Sequence, residues 1–432
     1  MSRSASNPSP PAGPPPGPAP PAPAPLGPPP PPVGDVPARF AVVGNPENRR
    51  VALFGDAVRA AGLPAPRVVP WQDVLRSGGA EFAADEIVRL DSPGENPEVD
   101  RLLRGAQDPT RVEGSALWYA RFTRAVRGLR GGIRLDDADE LAVLFDKRRC
   151  HAALAAADVP VPFSPTSGPD AARPAGWDDV RAVMRDHRMP RLFVKPAHGS
   201  SASGVLAVEA SGTRVRATTS VELTADGQLF NSLRVRRYDS ERDIAAIVDA
   251  LAPDGLHLER WLPKASQRGR AADLRVVVVA GRATHAVVRT STSPLTNLHL
   301  GGSRGDLDAV RDAVEAAGGR WADVLAVCER AAACFPRTLC VGVDLLPAVG
   351  WRRVAVGEVN AFGDLLPRLT GLPGSGAEGL DTYAAQVAAV LRRAGPRTGP
   401  RTAPTPHSRP PGPGRPHHPH VQHRTGTTHV SA

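Results

Sequence analysis

Residues 193–205 read FVKPAHGSSASGV: an apolar strand that ends on a lysine, then a loop of small residues. Backbone N–H groups in such a loop can wrap phosphate oxygens, and glycines at 199 and 204 permit the dihedrals this requires. Lys195 can place its ammonium on the same phosphates. The spacing is not the GxxxxGK[ST] of a P-loop. Alone, the segment reads either as a phosphate flap or as a mobile surface turn. The distribution of lysine separates the two. Of 53 Lys and Arg residues only Lys147, Lys195 and Lys264 are lysines. Arginine supplies almost every other cation. A lysine retained against that bias marks a place for a compact ammonium, a point charge that suits phosphate where a planar guanidinium does not.

Further along, two apolar runs carry acids. CVGVDLL spans 340–346 and RVAVGEVN spans 353–360. Glu358 and Asn360 lie two apart on a strand, so both point to one face. A turn at about 347–352 lets a hairpin bring Asp344 beside them. Acids in apolar strands are unfavourable unless paired or metal-bound. Two carboxylates and an amide oxygen suit Mg²⁺, a hard cation that takes oxygen ligands. Without the metal the two acids would repel.

The rest of the chain is read outward from these segments. A strand at 39–44, a helix at 49–61, strands at 66–70 and 86–90 and a short helix at 71–76 alternate as β-α-β, which predicts a small doubly wound domain over 39–135. No GxGxxG follows the first strand, so a dinucleotide site is not expected. One helical stretch is expected over 137–157, strands at 191–196 and 205–209, and a hairpin of 213–221 with 229–238 around Asp226-Gly227. A helix at 240–252 precedes a strand at 256–260. Strand 273–281 pairs with 283–290 across Gly281-Arg282, and helices follow at 306–317, 319–334 and 380–393. Past 140 the pattern is α+β with antiparallel sheet.

Composition sets the limits. Of 432 residues 41% are hydrophobic and 4% aromatic, so the core is built mainly from Ala, Val and Leu. Seventeen of the 47 prolines fall in 1–38 and nine in 395–432, so both segments are expected as disordered tails. The tail 395–432 carries five arginines and no acid, about half of the net charge of +9. The body is then nearly balanced, and no nucleic-acid partner is expected. No apolar run is long enough to cross a bilayer, and no basic start leads into an apolar stretch. The expectation is a cytoplasmic protein without a membrane partner. Cys150, Cys328, Cys334 and Cys340 form no CxxC and no metal spacing with histidine, so reduced, mostly buried thiols are expected. His151 falls on a helix and suits packing. His198 and His299 fall in site loops, and the histidines at 417, 418, 420 and 423 belong to the C-terminal tail.

In order, the pieces resemble the ATP-grasp superfamily. They are Asp146-Lys147 with a following AADVPVP, VKP with GSSASGV, ERWL, DLRVVVVAG, NLHLGG, GVDLL and EVN, and they span nearly all of 39–394. DLR, NLHLGG and EVN look most like the branch of the ribosomal-protein glutamate ligases, and ERWL resembles the D-alanine–D-alanine ligases. The resemblance implies a pre-ATP-grasp α/β domain (39–135), a lid (136–258) and a C-terminal subdomain (259–394), with ATP between the last two. It implies that Lys147 and Lys195 contact the α- and β-phosphates. The loop with Gly199, Ser200, Ser201 and Gly204 would close over the terminal phosphates. Arg260 and Leu262, flanking Trp261, would offer backbone groups to adenine beside Glu259. Asp344, Glu358 and Asn360 would hold one or two Mg²⁺. Arg275 and Arg289 would face the transferring phosphoryl group, and Asn297 would lie in the loop around the acceptor. Relatives place an acid several residues after ERWL for the ribose. Ser266 and Gln267 stand there, which leaves Lys264 or Ser266 for that role.

The implied activity is a carboxylate–amine ligase that works through an acyl phosphate and releases ADP and phosphate. Its partners would be a small-molecule or peptide carboxylate and an amine. The motifs do not specify the oligomeric state. An ATP-dependent kinase on the same fold is the alternative. Another is a non-catalytic protein that presents its Pro-rich tail as a polyproline II ligand, against which the intact lysines and acids argue.

Overall fold

The computed structural model describes residues 38–105, 111–168, 171, 173–199, 202–362, 366 and 369–394. The two expected tails lie outside the described residues, apart from Ala38, and so do Ser200 and Ser201.

The first sheet is parallel throughout. It holds β1 (Arg39–Gly44), β2 (Arg67–Pro70), β3 (Ala80–Leu90) and β4 (Leu129–Arg134) in the order β2-β1-β3-β4. Helices α1 (Arg49–Ala60), α2 (Trp71–Ser77), α3 (Pro97–Arg104) and α4 (Ser115–Arg127) connect the strands. β1 is an unbroken apolar run because both its faces are covered: Ala41 and Val43 face Trp71 and Leu90, and Phe40 and Val42 face Phe54 and Val58 of α1. The Asn48 side chain caps α1 by accepting the Arg50 N–H. The β-α-β expectation holds here. Helices α3 and α4 and strand β4 were not anticipated, and β3 starts six residues earlier than expected, ahead of an irregularity between Phe82 and Ile87.

The helical stretch expected over 137–157 is two helices, α5 (Ala138–Leu144) and α6 (Lys147–Ala156). Asp146 separates them. Its carboxylate accepts the Arg148 and Arg149 N–H groups as an N-cap, which places Lys147 at the first helical position.

Helix α7 (Trp177–Asp186) leads into an antiparallel sheet of β5 (Arg191–Pro196), β6 (Leu206–Ser211), β7 (Arg214–Leu223), β8 (Leu229–Tyr238) and β9 (Leu256–Arg260), in the order β8-β7-β6-β5-β9. Helix α8 (Glu241–Leu251) packs with α7 on one face, burying Val180, Met184, Ile244, Ile247 and Val248 against Leu192, Val194 and Leu258.

The third sheet is antiparallel. It holds β10 (Ser266–Gln267), β11 (Arg270–Val279), β12 (Arg282–Ser291), β13 (Ser303–Arg304), β14 (Cys340–Pro347) and β15 (Val354–Ala361), in the order β13-β12-β11-β14-β15 with β10 on β11. Helices α9 (Leu307–Ala316) and α10 (Trp321–Ala333) cover one face, and α11 (Thr382–Ala394) covers the other. Because both faces are covered, the second half of β11, Val276–Val279, is a continuous apolar run. Its hairpin with β12 turns one residue earlier than expected. Val279 pairs Arg282 across Ala280-Gly281, both at positive φ, as a two-residue type I′ loop requires. The partition expected at 258/259 cuts β9, whose Glu259 and Arg260 pair with Phe193 and Leu192 of β5, so the sheets divide after Arg260.

All four cysteines are free. Cys150, Cys328 and Cys340 are buried, and burial pushes the Cys150 and Cys340 thiols up to about 12.

Asp136, just after β4, is buried and accepts the Leu90 N–H. Burial raises its carboxyl to about 6, opposed by that hydrogen bond and by Arg89. A folded-state value above the unfolded one means that stability is fully present below about pH 4 and is lost as pH rises through 6. The loss is on the order of 3 kcal/mol for two units. Asp136→Asn keeps the acceptor and removes the charge. The variant is therefore expected to gain on the wild type in urea unfolding at pH 8 and to match it near pH 4. An equal gap at both pH values would show that Asp136 stays ionised.

Candidate active site

A cleft of about 100 Å³ lies between the second and third sheets, and Lys147, Lys195 and Lys264 all line it. Each lysine is held by an acid. On β5, Lys195 Nζ lies 2.6 Å from Glu259 Oε2. Glu259 also accepts from His257 Nε2 at 2.8 Å. Burial opposes ionisation of Glu259, but Lys195 and His257 together hold its carboxyl far below the usual range. Burial lowers His257, and Glu259 opposes the shift. At the start of α6, Lys147 Nζ donates to Gly199 O at 2.6 Å and pairs with Glu358 Oε1 at 3.0 Å, while its N–H donates to Ala197 O. Lys147 thus ties the flap to the third sheet. Lys264 Nζ pairs with Asp273 Oδ2 at 3.2 Å and donates to Thr296 Oγ1 at 2.9 Å. Burial lowers Lys264, and Asp273 opposes the shift.

The acids continue into an alternating network. Asp273 Oδ1 accepts from Arg289 Nε at 2.8 Å, and Arg289 also pairs with Asp344 Oδ1 at 3.0 Å. Arg275, directly opposite Asp344 in the ladder, grips both of its oxygens at 2.5 and 3.1 Å. Desolvation raises Asp344, but the two guanidiniums outweigh it and leave the carboxyl below its ordinary value. Repulsion between metal-free Asp344 and Glu358, expected from the sequence, is therefore overturned: each acid has its own cation.

The register places Asp344 opposite Glu358 and Gly342 opposite Asn360, so the hairpin brings the three expected metal donors together. Asn360 Nδ2 donates to Gly342 O at 3.4 Å, which leaves its amide oxygen as an acceptor. Glu358 Oε1 meets Lys147 at 3.0 Å. Among the described residues no group of three or more His, Cys, Asp or Glu forms a metal site. The expected set has only two acids, and its oxygen-only chemistry fits a hard cation.

Gly199, Arg260, Leu262 and Asn297 line the cleft, and Trp261 does not. The Trp261 ring packs on Phe193 with Arg191 over it, and the Trp261 backbone N–H donates to Arg191 O. The Arg260 N–H donates to Phe163 O. Gly204 is at φ +71, and a Cβ there would lie 2.6 Å from Pro196 and 2.9 Å from Val112. Its glycine serves the close turn under the flap. Gly199 is not in the left-handed region. Ser266 lies on β10 and is absent from the lining, whereas Lys264 is present. Asp273, Thr296 and His257 join the site without having been singled out. Asp273 was within reach of the sequence, two residues before Arg275 on one strand face. His151 is buried and bonded to Pro162 O and Ser167 Oγ, a packing role.

A second, larger cavity of about 610 Å³ continues from the first and shares Gly199, Ser203, Arg289, Asn297, Asp344 and Glu358 with it. His198 and His299 line it. Its far wall includes α4, whose first turn is capped from the short turn between α8 and β9: Asp254 accepts the Gly114 and Ala116 N–H groups at 2.6 and 3.2 Å. Loss of this cap in Asp254→Ala is expected to cost about 1 kcal/mol, read by thermal unfolding. An unchanged midpoint would mean that the cap is idle.

No family model matches the chain, and neither does any curated protein. Solved structures do. The chain is similar to the D-cycloserine synthetase DcsG at 17% identity, with 82% of this chain and 99% of that one covered and a TM-score of 0.48. It is similar to the ATP-grasp ligase PsnB complexed with a minimal precursor at 16% identity, 83% and 100% coverage and a TM-score of 0.47. It is also similar to the D-alanine–D-alanine ligase of Bacillus anthracis complexed with ATP at 12% identity, 83% and 97% coverage and a TM-score of 0.42. At these identities the activity has to be argued from the chain's own residues.

Proposed function

We propose that the chain is an ATP-dependent carboxylate–amine ligase of the ATP-grasp type. One observation carries the reading. A chain that uses arginine almost everywhere keeps three lysines, and all three line one cleft that ends on Asp344 and Glu358. Lys147 and Lys195 would take the phosphates of ATP, with the Gly199 loop above them. Arg260 and Leu262 would border the adenine. The position of Lys264, bonded to Asp273 and Thr296, favours it over Ser266 beside the ribose. Glu358, Asn360 and Asp344 would hold Mg²⁺, which when bound would offset charge on the transferring phosphate.

The reaction divides into two displacements. A substrate carboxylate oxygen attacks the γ-phosphorus, the bond to the β-phosphate oxygen breaks, and ADP leaves. An amine then attacks the acyl carbon, phosphate departs, and the nitrogen loses a proton to give the amide. Arg275 and Arg289 lie where negative charge develops, and Asn297 borders both cavities. Positioning in a closed cleft supplies most of the acceleration.

ADP release is the test, measured with pooled carboxylates, pooled amines and both together, followed by mass analysis of the product. A ligase requires both pools and yields a product lighter than its parts by one water. Release with a hydroxyl acceptor alone, giving a phosphorylated product, would replace the ligase with a kinase.

A further inference from the structure

The second cavity concentrates a residue class that the chain otherwise avoids. The whole sequence has ten Phe, six Trp and three Tyr. Five of these, Trp118, Tyr119, Phe122, Phe145 and Phe362, line this one cavity. Ser115, Trp118, Tyr119 and Phe122 follow one another at helical spacing, so α4 turns a single stripe toward it. The rings form a continuous wall: Trp118–Tyr119 centroids are 4.6 Å apart, Tyr119–Phe145 4.9 Å and Phe145–Phe362 6.0 Å. Phe122 is fully buried and belongs to the core. Trp118 packs on the core with part of its surface, but it and Tyr119 are only half-buried, so both keep surface open to the cavity. Trp118 is also oriented, because its Nε1–H donates to Asp100 Oδ1 at 2.9 Å.

The wall meets the reacting groups at both ends. Phe362 lies two residues beyond Asn360. His198, whose ring is 5.9 Å from Tyr119, directly precedes Gly199, the residue that binds Lys147. His198 Nδ1 is buried and has no partner among the described residues.

Topology points to the same cavity. In the order β2-β1-β3-β4 the chain leaves β1 in opposite directions, so the switch point lies between β1 and β3. Open parallel sheets bind ligands beyond the carboxyl ends of the strands at such a point. The loops there supply Asn48, Ser92, Gly94 and Glu95 to the cavity. They are fastened to each other, since Asn45 Nδ2 donates to Pro93 O and Gly94 O, and Asn48 Nδ2 to Glu95 Oε2 at 3.1 Å. Glu95 is held at φ +67, a disfavoured conformation for a non-glycine residue.

We propose that this cavity holds a co-substrate bearing an aromatic side chain, either an aromatic amino acid or such a residue within a peptide, with its ring against Trp118 and Tyr119. The proposal rests on the ligase reading. Its volume of about 610 Å³ falls within the roughly 300–1,000 Å³ of small-ligand pockets, enough for an aromatic amino acid or for one such residue of a peptide with its neighbours outside. Stacking on a fixed indole favours a flat ring over an aliphatic group of similar size.

The test uses the full chain and calorimetric binding. Mg·AMPPNP is titrated first. With the nucleotide analogue saturating, L-phenylalanine, L-tryptophan and the tripeptide Gly-Phe-Gly are compared with alanine, leucine and Gly-Leu-Gly. Free amino acids and tripeptides separate the two sources. At least one aromatic probe is expected to bind tenfold or more tightly than its aliphatic counterpart. Trp118→Leu is expected to reduce that preference to within about twofold at unchanged AMPPNP affinity, and Tyr119→Leu, in case the first variant does not fold, to reduce it severalfold. Nucleotide binding without any aromatic preference, or a preference that survives both substitutions, overturns the inference and leaves the ligase reading intact. Failure to bind Mg·AMPPNP at all overturns both.

Discussion

Glu358→Gln is expected to abolish ADP formation and leave the fold nearly as stable as before, whereas Asp344→Asn loses activity and stability together. The two acids face each other in one hairpin, but their partners differ. Glu358 makes one ion pair, with Lys147 at 3.0 Å, and is partly exposed. Solvent screens such a pair to about 1 kcal/mol or less, and glutamine keeps an oxygen for the ammonium. Asp344 is buried between Arg275 and Arg289. Its amide would leave Arg275 without that counter-charge and weaken the hold on Arg289, a loss of about 3–5 kcal/mol for a broken buried pair. Urea unfolding and ADP release over a Mg²⁺ titration separate the two acids. Wild-type turnover in Glu358→Gln would remove the metal assignment, and wild-type stability in Asp344→Asn would remove the arginine clamp. The pH response has a definite sign. Asp344, Asp273 and Glu259 are all held below their ordinary values, so their contribution is present above about pH 4 and is lost as pH falls below it.

The sequence was most legible where local and long-range signals agreed. Lys195 at a strand end and Glu358 with Asn360 at a two-residue spacing needed only strand periodicity to be placed, and the ladder then put Asp344 opposite Glu358. The helix break at Asp146 was missed because 137–157 is apolar at helical spacing on both sides, while the N-cap acts through one side chain. Helix α3 buries only Val99 and Leu103, too few to set a period. The pairing of acids with cations was invisible for another reason. Asp344 and Arg275 lie 69 residues apart, and only the β11–β14 register brings them face to face. An acid in an apolar strand announces that it has a partner but does not say whether that partner is a metal or a guanidinium.

Lys195→Arg is expected to weaken Mg·ATP binding by roughly 10- to 150-fold, about 1.5–3 kcal/mol for a lost charge-assisted contact, although the formal charge is kept. The reason is geometric. Lys195 Nζ sits 2.6 Å from Glu259, a carboxylate that is buried and already bonded by His257. A guanidinium would satisfy Glu259 through its planar fork, and that pairing would aim the remaining N–H groups along the Glu259 plane, away from the phosphates. The ammonium can instead share its three donors between the acid and an anion in the cleft. Lys195→Met is a poorer probe, because it leaves the buried Glu259 without the lysine counter-charge and destabilises the site by another route. Arginine isolates the shape of the cation from its charge. A control reverses the exchange on the surface. Arg216 pairs with Asp239 at 2.7 Å with both side chains exposed, so Arg216→Lys is expected to change neither stability nor nucleotide affinity. Calorimetric titration of Mg·ATP into the three proteins decides the matter. Wild-type affinity in Lys195→Arg would mean that the retained lysine is an accident of composition, and the phosphate assignment of the 193–205 segment would lose its main support.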